Sequence, residues 1–370
     1  MAKILIVSHY TPSLINFRGE LIRSLVNRGH EIIASGPEEG FERELGALGA
    51  RFVPIPLERA GINPLKDLIT FKEIFNLVAS LKPEVVFSYA IKPVIYASIA
   101  AGLKKVPRIY SLITGLGYLF GDSNVAQRLL LKSVLPLYRL ALKYNSVVFF
   151  QNKDDFSLFK TLGLLSPHTT GIVVDGSGVD LERFYFVPPV VNPPSFLLVA
   201  RLIKDKGIPE YVEAARIVKK KYPEAVFRLL GPFDSNPHAI SQNTVTRWVE
   251  EGVIEYLGET KDVRPFIASS SVFVLPSMYR EGVPRSVLEA MAMGRPVITT
   301  DVPGCRETVI PGVNGFLIPP GDITALSKAM EFFILNPEKI SLMGIESRKI
   351  AEARFDVHKV NKVMIEAMGL

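Results

Sequence analysis

Residues 278–298 read MYREGVPRSVLEAMAMGRPVI, a stretch in which a strand exit, a glycine turn, a helix and two glutamates meet. Just upstream, Ser271 to Leu275 is a short β-branched and apolar run of the kind that forms a buried parallel strand, and Pro276-Ser277 stops it. Pro284 suits the first turn of a helix, where its missing N–H is not needed, and Val287, Leu288, Met291 and Ala292 supply that helix with an inward face. Gly294 ends it. Gly282 permits close approach of a ligand to the backbone. Val283 follows it, and the N–H groups of Arg285, Ser286 and Val287 are expected free at the positive end of the helix dipole, where an anion such as phosphate is favoured. Glu281 lies ahead of the helix and Glu289 within it, so their carboxylates flank that anion position at different depths. Each can accept hydrogen bonds from hydroxyls on one side of a diphosphate. The plainer alternative pairs Glu289 with Arg285 one turn earlier and leaves Glu281 solvated.

Outward from this stretch the same strand-then-helix alternation recurs. Strand patterns at 3–8, 31–35, 85–88, 108–112 and 146–150 are separated by helical patterns at 16–28, 64–80, 93–103 and 124–144. Strands at 196–200, 226–230, 272–275 and 297–300 alternate with helices at 208–221, 239–251 and 284–293, followed by helices near 323–335 and 339–353. Such alternation predicts an α/β protein with parallel sheets covered on both faces. At 370 residues the chain is long enough for two such domains. The boundaries predicted are 1–180 for the first domain, 190–356 for the second, and a C-terminal helix in 357–370 packing back toward the first. The hinge falls in DGSGVD and the proline-rich VPPVVNPP between Val174 and Ser195. No G-x-G-x-x-G follows the first strand, so no nicotinamide or flavin cofactor is inferred.

Open parallel sheets bind ligands beyond the carboxyl ends of their strands. Arg201 follows the strand FLLVA and the Glu281 loop follows SVFVL, so both should emerge on one edge, joined by Lys206 in an R-x4-K loop that closes on Gly207 before a helix. Two cations beside helix N-termini are able to neutralise a diphosphate without a metal. No DxD-like motif at a strand end and no histidine cluster is visible, and metal-independent chemistry is expected.

Bulk composition narrows the classes. With 22% charged and 48% hydrophobic residues the chain is globular, and one cysteine, Cys305, excludes an internal disulfide and fits a reducing compartment. MAKILIVSHY runs straight into a strand pattern, so neither a signal peptide nor a spanning helix is expected, and cytoplasm is the default. The net charge of +6 is concentrated: residues 101–150 hold seven Lys or Arg against one acid, Asp122, while the remainder is balanced. The helix expected at 124–144 is therefore basic and amphipathic, with Arg128, Lys132, Arg139 and Lys143 among leucines, and Pro136 is expected to kink it. Such a helix suits an anionic membrane surface or, equally, a core with a solvated basic edge. The apolar Leu116, Tyr118, Leu119 and Phe120 after Gly115 belong to the same candidate surface. No recognition motif or stacking platform argues for nucleic acid.

The spacing of Glu281 and Glu289, in the wording EGVPRSVLE followed by AMAMGRPVI, resembles the signature of retaining glycosyltransferases of family 4, which have the GT-B fold of two Rossmann-like domains facing across a cleft. The resemblance implies that Glu281 holds sugar hydroxyls, Glu289 the ribose, and Arg201 with Lys206 the diphosphate. It implies backbone contacts to the base around Gly231 and Leu257 to Thr260, Glu259 included. GSGVD at 176–180 is similar to the family's interdomain motif, and TGLGYLF at 114–120 to a subset acting on lipid-linked N-acetylhexosamines. INPL at 62–65 and Asn152 to Asp155 add further matches. INFRGEL at 15–21 occupies the position of the family's glycine loop, placing Asn16, Arg18 and Gly19 on the acceptor side, although it holds one glycine where many relatives have two. Thr114 and Gly115 join them by resemblance, and Lys92 and His9 are candidates from their positions at a helix start and a strand end. Many family members have a histidine after the fourth strand; FSYAIKP has Tyr89, Ala90 and Lys92 there, so that contact does not transfer.

The expected function is transfer of a sugar, N-acetylgalactosamine favoured, from a UDP-sugar to a polyprenyl-diphosphate-linked saccharide, with the protein peripheral to the inner face of the cell membrane. A nucleotide-sugar 2-epimerase of the same plan and a non-catalytic nucleotide-sugar-binding protein are the alternatives.

Overall fold

The computed structural model describes residues 1–58, 63–120, 125–235 and 237–370. Ile62 of the INPL stretch, and Asp122 and Asn124 ahead of the basic helix, lie outside these, as do the side chains of Tyr118, Leu119 and Arg128. The chain divides into two units, Met1–Gly178 with Val357–Leu370, and Val179–Asp356.

The first unit is built on a parallel sheet of β1 (Lys3–Val7), β2 (Glu31–Gly36), β3 (Ala50–Pro54), β4 (Val85–Tyr89), β5 (Arg108–Ile113), β6 (Val147–Phe150) and β7 (Thr170–Val173). The strand order is β3-β2-β1-β4-β5-β6-β7. Its helices are α1 (Pro12–Asn16), α2 (Gly19–Asn27), α3 (Glu42–Ala47), α4 (Pro64–Leu81), α5 (Ile91–Leu103), α6 (Val125–Leu142) and α7 (Lys153–Thr161). Alternate residues of β1 serve opposite faces: Ile4 and Ile6 pack in one core cluster, Leu5 and Val7 in another. This two-sided burial is why the strands read as continuous apolar runs.

The second unit repeats the plan. It contains β8 (Ser195–Val199), α8 (Ile208–Lys221), β9 (Val226–Leu230), α9 (Gln242–Glu250), β10 (Glu255–Tyr256), α10 (Arg264–Ala268), β11 (Val272–Leu275), α11 (Arg285–Ala292), β12 (Val297–Thr300), β13 (Gly315–Ile318), α12 (Ile323–Leu335) and α13 (Pro337–Ile350). Its strand order is β10-β9-β8-β11-β12-β13. The chain then returns to the first unit as α14 (Val357–Ala367), which buries Val360, Met364 and Ile365 in the β1 cluster. Tyr110 Oη donates to the Met368 carbonyl at 2.7 Å, fixing this return against the underside of β5.

Several expectations are corrected. The helix expected at 16–28 is α2, over Gly19–Asn27; a further short helix, α1, precedes it and ends at Asn16, and Gly19 lies buried in the first turn of α2 instead of in an open loop. The boundary between the units falls at Gly178–Val179, inside the stretch expected to hold the hinge, but the second unit begins there and not at 190: Arg295 Nη1 donates to the Val187 carbonyl at 2.8 Å, and Phe184 joins the core of the second unit. Edge strands β3, β7, β10 and β13, together with α3 and α7, escaped the pattern reading. They are short, and ARFVP, TGIV and GFLI carry Arg, Gly or Pro in place of a long β-branched run. Helix α6 carries Pro136 in its interior, where the kink is expected, and continues to Leu142. Leu116 is buried and Phe120 stacks on Phe159 at 6.0 Å, so these two residues belong to the core and not to a lipid-facing surface.

Candidate functional site

In the second unit the strand order reverses between β8 and β11, and the crevice outside such a switch point is where open parallel sheets hold ligands. The loop after β8 carries Arg201 and Lys206, and the loop after β11 carries Glu281. Backbone alone draws them together. Met278 N–H donates to the Asp205 carbonyl at 2.8 Å, and Gly207, at φ +71°, lies so close to the Pro276 carbonyl that a Cβ would fall 1.9 Å from its oxygen. Gly282 is held equally tightly, since a Cβ on Gly304 would fall 1.6 Å from the Gly282 carbonyl oxygen.

Lys206 Nζ donates to Glu281 Oε1 at 2.5 Å, with the two side chains only 13% and 10% exposed. Ser277 Oγ donates to the same oxygen at 2.8 Å, and the Tyr279 ring lies 5.2 Å below the ammonium. Burial by itself would pull the Lys206 pKa down; the adjacent Glu281 carboxylate and Tyr279 outweigh it and raise it above the ordinary lysine value. Glu281 in turn pushes the Tyr279 hydroxyl up, helped by burial. Burial also drives the nearby Cys305 thiol up to about 12, so this cysteine is an inert thiol in the packing beneath the site.

Arg201 Nη1 meets Asp234 Oδ2 at 2.6 Å. Helix α11 starts at Arg285 with Pro284 as its cap. Val287 N–H is already spent on the Pro284 carbonyl at 3.1 Å, which corrects the expectation of three free amides. Arg285 Nε donates to Glu289 Oε1 at 3.1 Å, so the plainer pairing of these two is realised, whereas Glu281 is buried and not solvated. Burial raises the Glu289 pKa against the pull of Arg285. Ser286 is half-buried at the helix start, and Val283 packs into the core below it.

Gly231, at φ +152°, ends β9 where a Cβ would strike the Ala200 carbonyl, and its own carbonyl accepts from Tyr256 Oη at 2.9 Å. Glu259 is exposed on the following loop and adds to the burial that raises the Tyr256 pKa. Asp234, Ser277 and Tyr279 were not singled out from the sequence. Only Ser277, four residues ahead of Glu281, carried a local signal.

The first unit has its own switch point between β1 and β4. His9 follows β1, half-buried, and Asn16 is exposed at the end of α1. Arg18 is almost wholly buried, its guanidinium 5.3 Å from the centroid of the Tyr89 ring, so it packs inward instead of presenting itself on the surface. Tyr89 is itself buried, its Oη 2.8 Å from Ser13 Oγ. Lys92, in the first turn of α5, is neither solvated nor open: Nζ donates to Asp67 Oδ1 on α4 at 2.7 Å. Ala90, between β4 and α5, has φ +69° and ψ 161°, a strained conformation for a residue with a Cβ. Thr114 and Gly115, the latter at φ +102°, follow β5 on the same edge, half-buried. Among the described residues no group of three or more His, Cys, Asp or Glu gathers as a metal site.

Two parallel-sheet units, the second with Arg201, Lys206 and Glu281 in the loops at its switch point, have the GT-B architecture. The family described as glycosyl transferase 4-like matches residues 4–152, and the family of glycosyl transferases group 1 matches residues 193–336. The chain belongs to the family 4 glycosyltransferases.

Among its relatives is the N,N'-diacetylbacillosaminyl-diphospho-undecaprenol alpha-1,3-N-acetylgalactosaminyltransferase of Campylobacter jejuni, 28% identical over 91% of this chain and 90% of that protein. The UDP-Gal:alpha-D-GlcNAc-diphosphoundecaprenol alpha-1,3-galactosyltransferase of Escherichia coli is 26% identical over 84% of this chain and 81% of that protein. The crystal structure of Anabaena HepE in complex with UDP superposes with a TM-score of 0.79 over 99% of both chains at 18% identity, which shows the shared fold.

Proposed function

We propose that this chain transfers an N-acetylhexosamine, with N-acetylgalactosamine favoured, from a UDP-sugar to a saccharide carried on a polyprenyl diphosphate. The transfer retains the anomeric configuration and needs no metal. The observation that carries the proposal is the meeting of the Arg201–Lys206 loop after β8 with the Glu281 loop after β11, Lys206 Nζ on Glu281 Oε1, directly ahead of helix α11, which carries Glu289. The relatives' names supply the donor and acceptor classes.

The bond from the anomeric carbon to the β-phosphate oxygen breaks, and the negative charge that develops on that phosphate falls to Arg201, Lys206 and the backbone after Gly282. The acceptor hydroxyl attacks the same face of the sugar and gives its proton to the departing phosphate. Glu281 orients the sugar hydroxyls and Glu289 the ribose. The acceptor side is assigned to His9, Asn16, Lys92, Thr114 and Gly115 of the first unit.

No helix among the described residues is long and apolar enough to cross a membrane. A lipid-linked acceptor then calls for peripheral attachment at the cytoplasmic face. Exposed Leu129, Leu137 and Leu140 beside Lys132 on α6 support this, as does a stripe on α4 where Leu65, Leu68 and Ile69 are 73%, 63% and 53% exposed.

The test incubates the protein in EDTA with UDP- and GDP-sugars, with and without a short polyprenyl-diphosphate monosaccharide, following nucleotide release, lipid product and its anomeric configuration. Transfer to lipid that is lost in folded Glu281→Ala and Arg201→Ala variants is the expected result. A new sugar epimer without acceptor would replace the proposal with an epimerase, and binding without turnover would replace it with a nucleotide-sugar-binding role.

A further inference from the structure

The cations assigned to the donor are paired with acids of the same chain. Glu281 neutralises Lys206, and Asp234, its side chain 15% exposed, neutralises Arg201 at 2.6 Å. Asp234 belongs to the loop that leaves β9, and that loop is strapped across the Arg201–Lys206 turn. Leu202 N–H donates to the Pro232 carbonyl at 2.9 Å, Lys204 N–H to the His238 carbonyl at 2.9 Å and Ile240 N–H to the Leu202 carbonyl at 2.8 Å. His238 Nδ1 lies 2.8 Å from Asp205 Oδ2, a second clasp between the same two segments.

We propose that Asp234 is a built-in counter-ion of the donor site, holding Arg201 until a donor diphosphate displaces it and reclaiming Arg201 as the nucleotide leaves. The inference rests on the assignment of Arg201 to the diphosphate. A guanidinium offers its N–H donors in a fixed planar fork, and carboxylate and phosphate compete for the same edges of that fork. With Asp234 and Glu281 both in place each of the two cations is paired, so an entering diphosphate has to compete with two carboxylates. Glu281 has its own task on the sugar, which leaves the loop carboxylate as the one to yield. Backbone hydrogen bonds hold the strap without the Asp234 side chain, so the carboxylate is able to swing off Arg201 while the loop stays in place.

The experiment measures UDP binding to the full chain by titration calorimetry, and donor KM, for wild type and for Asp234→Asn, Asp234→Glu and Arg201→Ala. Asp234→Asn keeps the size and removes the charge, so UDP should bind about three- to tenfold tighter and donor KM should fall. Asp234→Glu should restore wild-type affinity. Unchanged or weaker UDP binding in Asp234→Asn overturns the proposal, because a residue that merely orients Arg201 or supports the loop predicts that direction; Asp234→Ala serves the same purpose if the asparagine variant does not fold. Arg201→Ala separates the two layers of the argument. If it weakens UDP binding while Asp234→Asn does nothing, the counter-ion fails and the diphosphate assignment stands. If it leaves UDP binding intact, the diphosphate assignment itself fails.

Discussion

Replacing Glu281 by Gln strands the Lys206 ammonium against a neutral amide in a nearly closed pocket. The pair is 2.5 Å long with side chains 13% and 10% exposed, and breaking a buried pair from one side costs about 3–5 kcal/mol. The remaining exposure and the Ser277 hydroxyl soften this to about 2–3 kcal/mol. The second unit spans Val179–Asp356, a domain size for which each kcal/mol moves the melting point by about 2–4 °C, so the loss in Tm should be roughly 4–12 °C. Lys206→Met should behave similarly, because it leaves Glu281 uncompensated. The double variant should be more stable than either single one, since an apolar or neutral pair removes both desolvation penalties together. Thermal and urea unfolding of the four proteins closes a double-mutant cycle, with a coupling energy above about 1 kcal/mol expected. Single variants that each lose less than about 0.5 kcal/mol and add independently would refute the reasoning, because that is the behaviour of a solvent-screened surface pair.

Arg201→Lys keeps the charge but loses the planar fork, and turnover should fall about a hundredfold with the protein still folded, as steady-state kinetics beside a thermal melt will show. Glu289 has a carboxyl pKa raised by burial, so the folded state holds its proton more tightly than the unfolded chain and stability declines as pH rises past the usual carboxylate range. Glu289→Gln should therefore flatten the dependence of Tm on pH from about 4 upward and weaken UDP binding; a pH dependence as steep as that of the wild type counts against the raised carboxyl. Leu68→Ser with Ile69→Ser should reduce sedimentation with anionic vesicles while leaving the melt unchanged, whereas undiminished sedimentation removes α4 from the membrane surface.

Much of this protein was legible in one dimension because strand and helix periodicities are local. The apolar runs KILIV and VFVL, the Pro284 and Gly294 boundaries of α11, and the placing of Arg201 and Glu281 at neighbouring strand ends follow from residue order and the rule that parallel sheets bind beyond their carboxyl edges. Which acid answers which cation did not. Asp234 lies 33 residues from Arg201, and Lys206 lies 75 from Glu281, so those pairs exist only once β9, β8 and β11 are set side by side. The same holds for the side chains that tertiary packing turned inward or outward. Arg18 went under Tyr89 and Leu116 into the core, while the helix α4, whose sequence gives no sharp amphipathic sign, left Leu65, Leu68 and Ile69 in solvent. The sequence by itself determined the two α/β domains and the residue types at the switch point, through short-range patterning; the tertiary structure alone decided charge partners, burial and exposed surface, because these depend on which segments, distant along the chain, come to share a few ångströms of space.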